Sequence, residues 1–150
     1  MTIKTMYNVA FALLLVPAAL GAQETVERSR PAAADGTVEI DNIAGSIRVE
    51  AWDRNEVSLV ARLGRGVEGV EFEGSGSNTR IRVVYPRRGN SNGSELTVNV
   101  PAGSRVKVQG VSADVTVRDV RGAVEAQSVS GDVSVTGPTR TVKAQSVSGD

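Results

Sequence analysis

The chain has 150 residues, with 40% hydrophobic, only 3% aromatic, 16 glycines, no cysteine and no histidine. Seventeen basic residues balance seventeen acidic ones, so no gross field points to nucleic acid or to an acidic membrane. This length suits one domain, and a Val-Gly-Thr-Ser composition suits repetitive β structure rather than a large mixed core.

Residues 1–22 read as a targeting segment. Lys4 supplies a positive start, Val9 to Val16 an apolar run, and Pro17 to Ala22 a small-residue cleavage region ahead of Gln23. The run is short for a bilayer span. An uncleaved anchor is the alternative. With no cysteine the segment is not a lipoprotein signal, and no disulfide stabilises the exported product. Residues 23–37 are polar, with Pro31 and an Ala run, and read as a linker or frayed arm.

The domain spans 38–150. Its opening, Val-Glu-Ile-Asp-Asn-Ile-Ala-Gly-Ser-Ile-Arg-Val from Val38 to Val49, superimposes on the later stretch from Val106 to Val117. Val38 falls on Val106, Ile40 on Val108, Ile43 on Val111, Ile47 on Val115 and Val49 on Val117. Trp52 then falls where Val120 sits later. Its indole is expected to cap or widen the open end of an aliphatic core, and ligand stacking is the sharper alternative. From Val57 to Val100 the pattern loosens into alternating strands, at 57–63, 70–72, 80–85 and 95–100, joined by Gly-, Ser- and Asn-rich loops. These are expected to form hairpins that close the N-terminal end and protect it from edge-to-edge association.

Val106 to Asp150 falls into five units of nine, each beginning with Val. Alternate units share more: Gln109, Gln127 and Gln145, then Val-Ser-(Ala/Gly)-Asp ending on Asp114, Asp132 and Asp150. The larger period is therefore eighteen, made of two unlike halves. Eighteen residues are also five helical turns, but the apolar places then scatter around the axis. Val, Thr, Ser and Gly are poor helix formers, and places one and three alternate as a half-buried strand does. The fold expected is all-β: a short β-solenoid, β-helix-like, with eighteen-residue coils and N-terminal hairpins. Its inward column would be Val106, Val108, Val111, Val115, Val117 and Val120. One coil cannot stand alone, and stacking covers its edges. Pro138 cannot donate to a ladder and predicts a bend there. The chain stops in mid-repeat at Asp150, which reads as a fragment or as a parent with further coils.

Three strings imitate functional motifs. Gly64 to Gly69 is a literal G-x-G-x-x-G, but a strand pattern follows it where a dinucleotide site needs a helix. Gly89 to Gly93 matches G-x-S-x-G, but with no histidine Ser91 lacks its usual base. Asp114, Asp132 and Asp150 would stack at roughly 4.8 Å, either as solvated turn residues or as calcium ligands. The paired glycines of calcium-binding nonapeptide repeats are missing. Arg80, Arg82, Arg87 and Arg88, with Arg105, gather near one hairpin in sequence. They read as a solvated strand face or as a site for an anionic glycan or lipid headgroup.

Residues 40–57, residues 96–115 and the repeated Ser-Val-Ser-Gly-Asp-Val resemble the bacterial putative adhesin family, over about residues 38–150. Ala113 departs from the Gly expected in the first Ser-Gly-Asp. The resemblance implies a β-helix-like fold and a non-catalytic role at the cell envelope. The combined expectation is an exported scaffold without a cofactor, in the periplasm or on the cell surface. An envelope glycan or another envelope protein would be its partner, with no nucleic acid and no membrane span after cleavage. A calcium-dependent solenoid and a carbohydrate-active β-helix enzyme are the alternatives. The enzyme has little room for a cleft on coils this short, and Lys107 and Lys143 are the only lysines after residue 22.

Overall fold

Alternation of Val and Ile with polar residues makes strands wherever one face is buried. A computed structural model describes residues 23–150; the expected targeting segment lies outside them. Ten strands follow in chain order: β1 (Glu24–Pro31), β2 (Thr37–Trp52), β3 (Glu56–Leu63), β4 (Gly69–Ser75), β5 (Asn78–Val84), β6 (Ser94–Pro101), β7 (Arg105–Arg118), β8 (Ala123–Ser128), β9 (Val133–Thr136) and β10 (Thr141–Ser146). They join in one mixed sheet. No helix among the described residues is long and apolar enough to cross a membrane.

The long strands β2 and β7 run parallel in the register that their sequences share. Val38 opposes Val106, Ile40 opposes Val108, Ile47 opposes Val115 and Val49 opposes Val117. The first half of β7 continues to β8 and then β10, placing Val106 beside Val124 and Val124 beside Val142. Its second half pairs with β9, placing Val115 beside Val133. These residues build the core. Val38, Ile40, Ile47, Val49, Val106, Val108, Val115 and Val117 are all at most 2% exposed. Buried aliphatic side chains of this kind contribute about 1.5–3 kcal/mol each.

Between its halves each long strand turns a corner, and the inside–outside alternation changes phase there. Buried positions are even-numbered up to Asn42 and odd-numbered from Ile47. The corner therefore faces Ile43 and Val111 outward, at 52% and 47% exposed. This corrects the expectation that Val111 belongs to the inward column. Val120, at the opposite corner, is fully buried. Pro138 lies in a bend between β9 and β10, outside any ladder.

The remaining strands flank this parallel array. Residues 23–37 are more than an arm, because β1 pairs antiparallel with β3 along its whole length. Strand β3 in turn pairs antiparallel with β6. The β4–β5 hairpin is antiparallel, but β5 and β6 both lie parallel to β2, on its first and second halves. The region of looser pattern thus supplies another parallel neighbour for β2 as well as hairpins. The Gly64–Gly69 string is a turn leading into β4, which is a strand and not a helix.

Candidate functional site

Positions with the same register and the same parity share a sheet face, so the strand pairings place side chains in rows. On the outer face of the first half, one row crosses six strands: Glu73, Arg80, Glu39, Lys107, Glu125, Lys143. Its charges alternate in sign throughout. Arg80 lies 4.0 Å from Glu39 and from Asp41, and Lys143 lies 4.0 Å from Glu125. Exposed pairs of this kind contribute little individually, but opposite charges across strands favour this register over a slipped one.

The next row along the same face is Glu71, Arg82, Asp41, Gln109, Gln127, Gln145. Arg82 sits between two carboxylates, as Arg80 does. Of the arginines that gather in sequence, Arg80 and Arg82 are thus interleaved with acids from other strands. From Gln109 onward the row is uncharged.

Beside this second row runs the corner. Val129 and Val147, at 45% and 69% exposed, continue the outward line begun by Ile43 and Val111. Backbone bonds hold the corners together: Ser130 N–H donates to the Val111 carbonyl at 2.7 Å and Ser148 N–H to the Val129 carbonyl at 2.8 Å. The amide row and the aliphatic ledge border one groove of about 940 Å³. Arg80, Arg82, Arg87 and Tyr85 also line it. Arg88 is exposed in the following loop and is not among the lining residues.

A polar column behind the ledge fixes the corner's shape. Ser128 Oγ donates to the Ala113 carbonyl at 2.8 Å and accepts from Gly131 N–H at 3.1 Å. Ser146 repeats both bonds with the Gly131 carbonyl and Gly149 N–H. At the equivalent place in β2, buried Asn42 donates to the Ser94 carbonyl at 2.9 Å. Tyr85 Oη donates its proton at this corner, where it contacts Asn42 Oδ1 at 2.6 Å and the Ala44 carbonyl at 2.8 Å. In β7 the place is Gly110, which leaves room for the Ala113 methyl: a Cβ on Gly110 would come within 3.0 Å of it. A Cβ on Gly131 would run first into the Ala113 backbone carbonyl and then meet the Ser128 hydroxyl at 2.9 Å.

The aspartates lie on the outer face at the far side of that corner. Asp114 Oδ1 accepts from Asp132 N–H, and Asp132 Oδ1 from Asp150 N–H, both at 3.0 Å. Among the described residues no group of three or more acidic side chains converges to hold a metal ion. Trp52 stands apart from the groove. It is half-buried opposite Pro101, its indole N–H donates to the Glu56 carbonyl at 2.7 Å, and the Arg54 guanidinium lies 5.2 Å from the ring centre. The indole thus pins the β2–β3 turn, beside a recess of about 300 Å³ that Asp119, Arg121 and Pro138 help to line.

The corner groove escapes sequence reasoning because its parts come from β2, β4, β5, β7, β8 and β10. Only the repeated Gln-x-Val of the alternate units hinted at it.

No family model matches the chain, and no curated protein matches it. Among solved structures, a putative cell adhesion protein from Clostridium sporogenes is similar at a TM-score of 0.54 and 9% identity, over 82% of this chain and 68% of that one. A putative adhesin from Parabacteroides merdae aligns at a TM-score of 0.39 and 8% identity, over 81% of this chain and 58% of that one. The likeness to the clostridial protein is one of fold.

Proposed function

We propose that the chain is an exported, non-catalytic β-solenoid of the bacterial envelope with an adhesin-like binding role. Each coil in this reading is eighteen residues in two halves, and residues 1–22 are its export signal. The observation that carries it is the parallel register: Asp114, Asp132 and Asp150 succeed one another at intervals of eighteen residues and bond in series. Such stacking yields a stiff body with regular rows of polar side chains on its faces, which suits display and adhesion more than catalysis. The fold likeness to a putative cell adhesion protein supports the same direction. An envelope glycan or another envelope protein is the partner, in the periplasm or on the cell surface.

The test is binding of the purified protein, from residue 23 onward, to isolated bacterial envelopes and to a glycan array. Saturable binding to either is expected. Absence of binding to both, by protein with a cooperative melting transition, would sink the adhesive role.

A further inference from the structure

We infer that the corner groove is a binding site for a linear, uncharged polysaccharide bearing acetamido groups, laid across the strands with about one sugar per strand. The inference rests on the envelope-binding role proposed above and assigns it a place and a ligand class.

Four features select this ligand. The first is spacing. Gln109, Gln127 and Gln145 recur from strand to strand in direct register, at the ~4.8 Å that separates neighbouring strands. A β-linked pyranose chain advances by close to that distance per sugar. An extended peptide advances only ~3.3 Å per residue and falls out of step.

The second is hydrogen-bonding chemistry. A row of primary amides offers donors and acceptors at every step and bears no charge. Hydroxyl and acetamido groups answer both, whereas a carboxylate or phosphate answers the donors alone.

The third is the aliphatic ledge. Ile43, Val111, Val129 and Val147 are 45–69% exposed although the chain has ample polar residues for a solvent-facing corner. Their place in the corner demands no apolar group, because the corner is held by Ser128, Ser146 and backbone bonds. A continuous exposed apolar line beside a polar row is a mark of a binding surface. Successive sugars of a β-linked chain present their acetamido groups to opposite edges, so the methyl of every second sugar matches this ledge.

The fourth is charge. At the β4–β5 end Glu71 and Asp41 flank Arg82, and Glu68 and Arg87 also line the groove. Mixed signs there favour neither a polyanion nor a polycation.

The test is titration calorimetry on the protein from residue 23 onward with chito-oligosaccharides of two to six sugars, which are uncharged and acetamido-bearing. Cellohexaose and polygalacturonate serve as comparisons. Affinity is expected to climb with length up to four or more sugars. Cellohexaose should bind about tenfold more weakly, a difference of about 1.4 kcal/mol, and polygalacturonate more weakly still. Gln127→Ala and Val129→Ser should each weaken the hexamer several-fold at unchanged melting temperature. Ser134→Ala, on the other half of the sheet, should leave it alone. No hexamer binding, tighter binding of either comparison polymer, or binding indifferent to both groove variants would each overturn the assignment. Should glycan-array or envelope binding persist with both variants, the groove fails and the adhesive role stands. Should the protein bind no surface at all, the failure is of that role itself.

Discussion

The Asp114 carboxylate accepts a hydrogen bond from the backbone N–H of Asp132, its counterpart eighteen residues on, at 3.0 Å. Asp132 treats Asp150 in the same way. The carboxylates therefore satisfy backbone donors at the corner exit, much as a cap residue satisfies the free amides of a helix end.

This assigns the aspartates a structural part. Asp132→Asn keeps an acceptor and should melt near the parent. Asp132→Ala should cost about 0.5–1 kcal/mol, the lower end of cap losses because the site is exposed. Calcium at millimolar concentration should leave both transitions in place. A calcium-dependent rise in melting temperature that chelator reverses would instead favour the calcium-dependent solenoid.

Gly110 with Ala113, and Ser128 with Gly131, are two solutions of one corner. Gly131→Ala drives a methyl into the Ala113 carbonyl oxygen, and overpacking of that kind costs about 1–3 kcal/mol. Ser128→Gly removes two hydrogen bonds, worth about 1–2 kcal/mol together. In the double variant the clash with the Ala113 backbone carbonyl remains, because Ser128→Gly removes only the hydroxyl 2.9 Å from the same point. Its loss, measured by urea denaturation, should therefore match the sum of the single losses to within about 0.5 kcal/mol. A loss well short of the sum would show that the Ser128 hydroxyl, and not the Ala113 carbonyl, is what Gly131 makes room for.

Tyr85 anchors the loop after β5 to the corner of β2. Tyr85→Phe takes the hydroxyl from Asn42 and the Ala44 carbonyl while Asn42 stays only 2% exposed. The variant should lose about 1–2 kcal/mol by urea denaturation with an unchanged m-value. A stability equal to the parent's would mean that water replaces the phenol.

Much of the core register is legible in the sequence. Laying 38–49 on 106–117 names the pairs Val38–Val106, Ile40–Val108, Ile47–Val115 and Val49–Val117 that the strands adopt. The corner is where that reading stops, because an apolar residue at a bend does not say which way it faces. Val111 turns out and Val120 turns in, although both hold the sixth place of their units. Strand β1 is hidden for another reason. Its residues are mostly exposed, so its pairing with β3 leaves no apolar alternation to find. Clustering along the chain does not show the cross-strand neighbours of Arg80 and Arg82: Glu73 and Glu71 face them across the hairpin. The groove needs six strands in place before it exists.

The register that places β7 beside β8 and β8 beside β10 underlies both the proposed scaffold and the groove, and disulfide trapping tests it most directly. The chain has no cysteine of its own, so an introduced pair reports without background. Directly opposed residues on neighbouring strands lie about 4.8 Å apart, within the 4.4–6.8 Å range that a disulfide spans. Gln109→Cys with Gln127→Cys should form an intramolecular cross-link on mild oxidation, while Gln109→Cys with Arg118→Cys, the pairing of a nine-residue coil, should not. A cross-link in the second pair and none in the first would contradict the account.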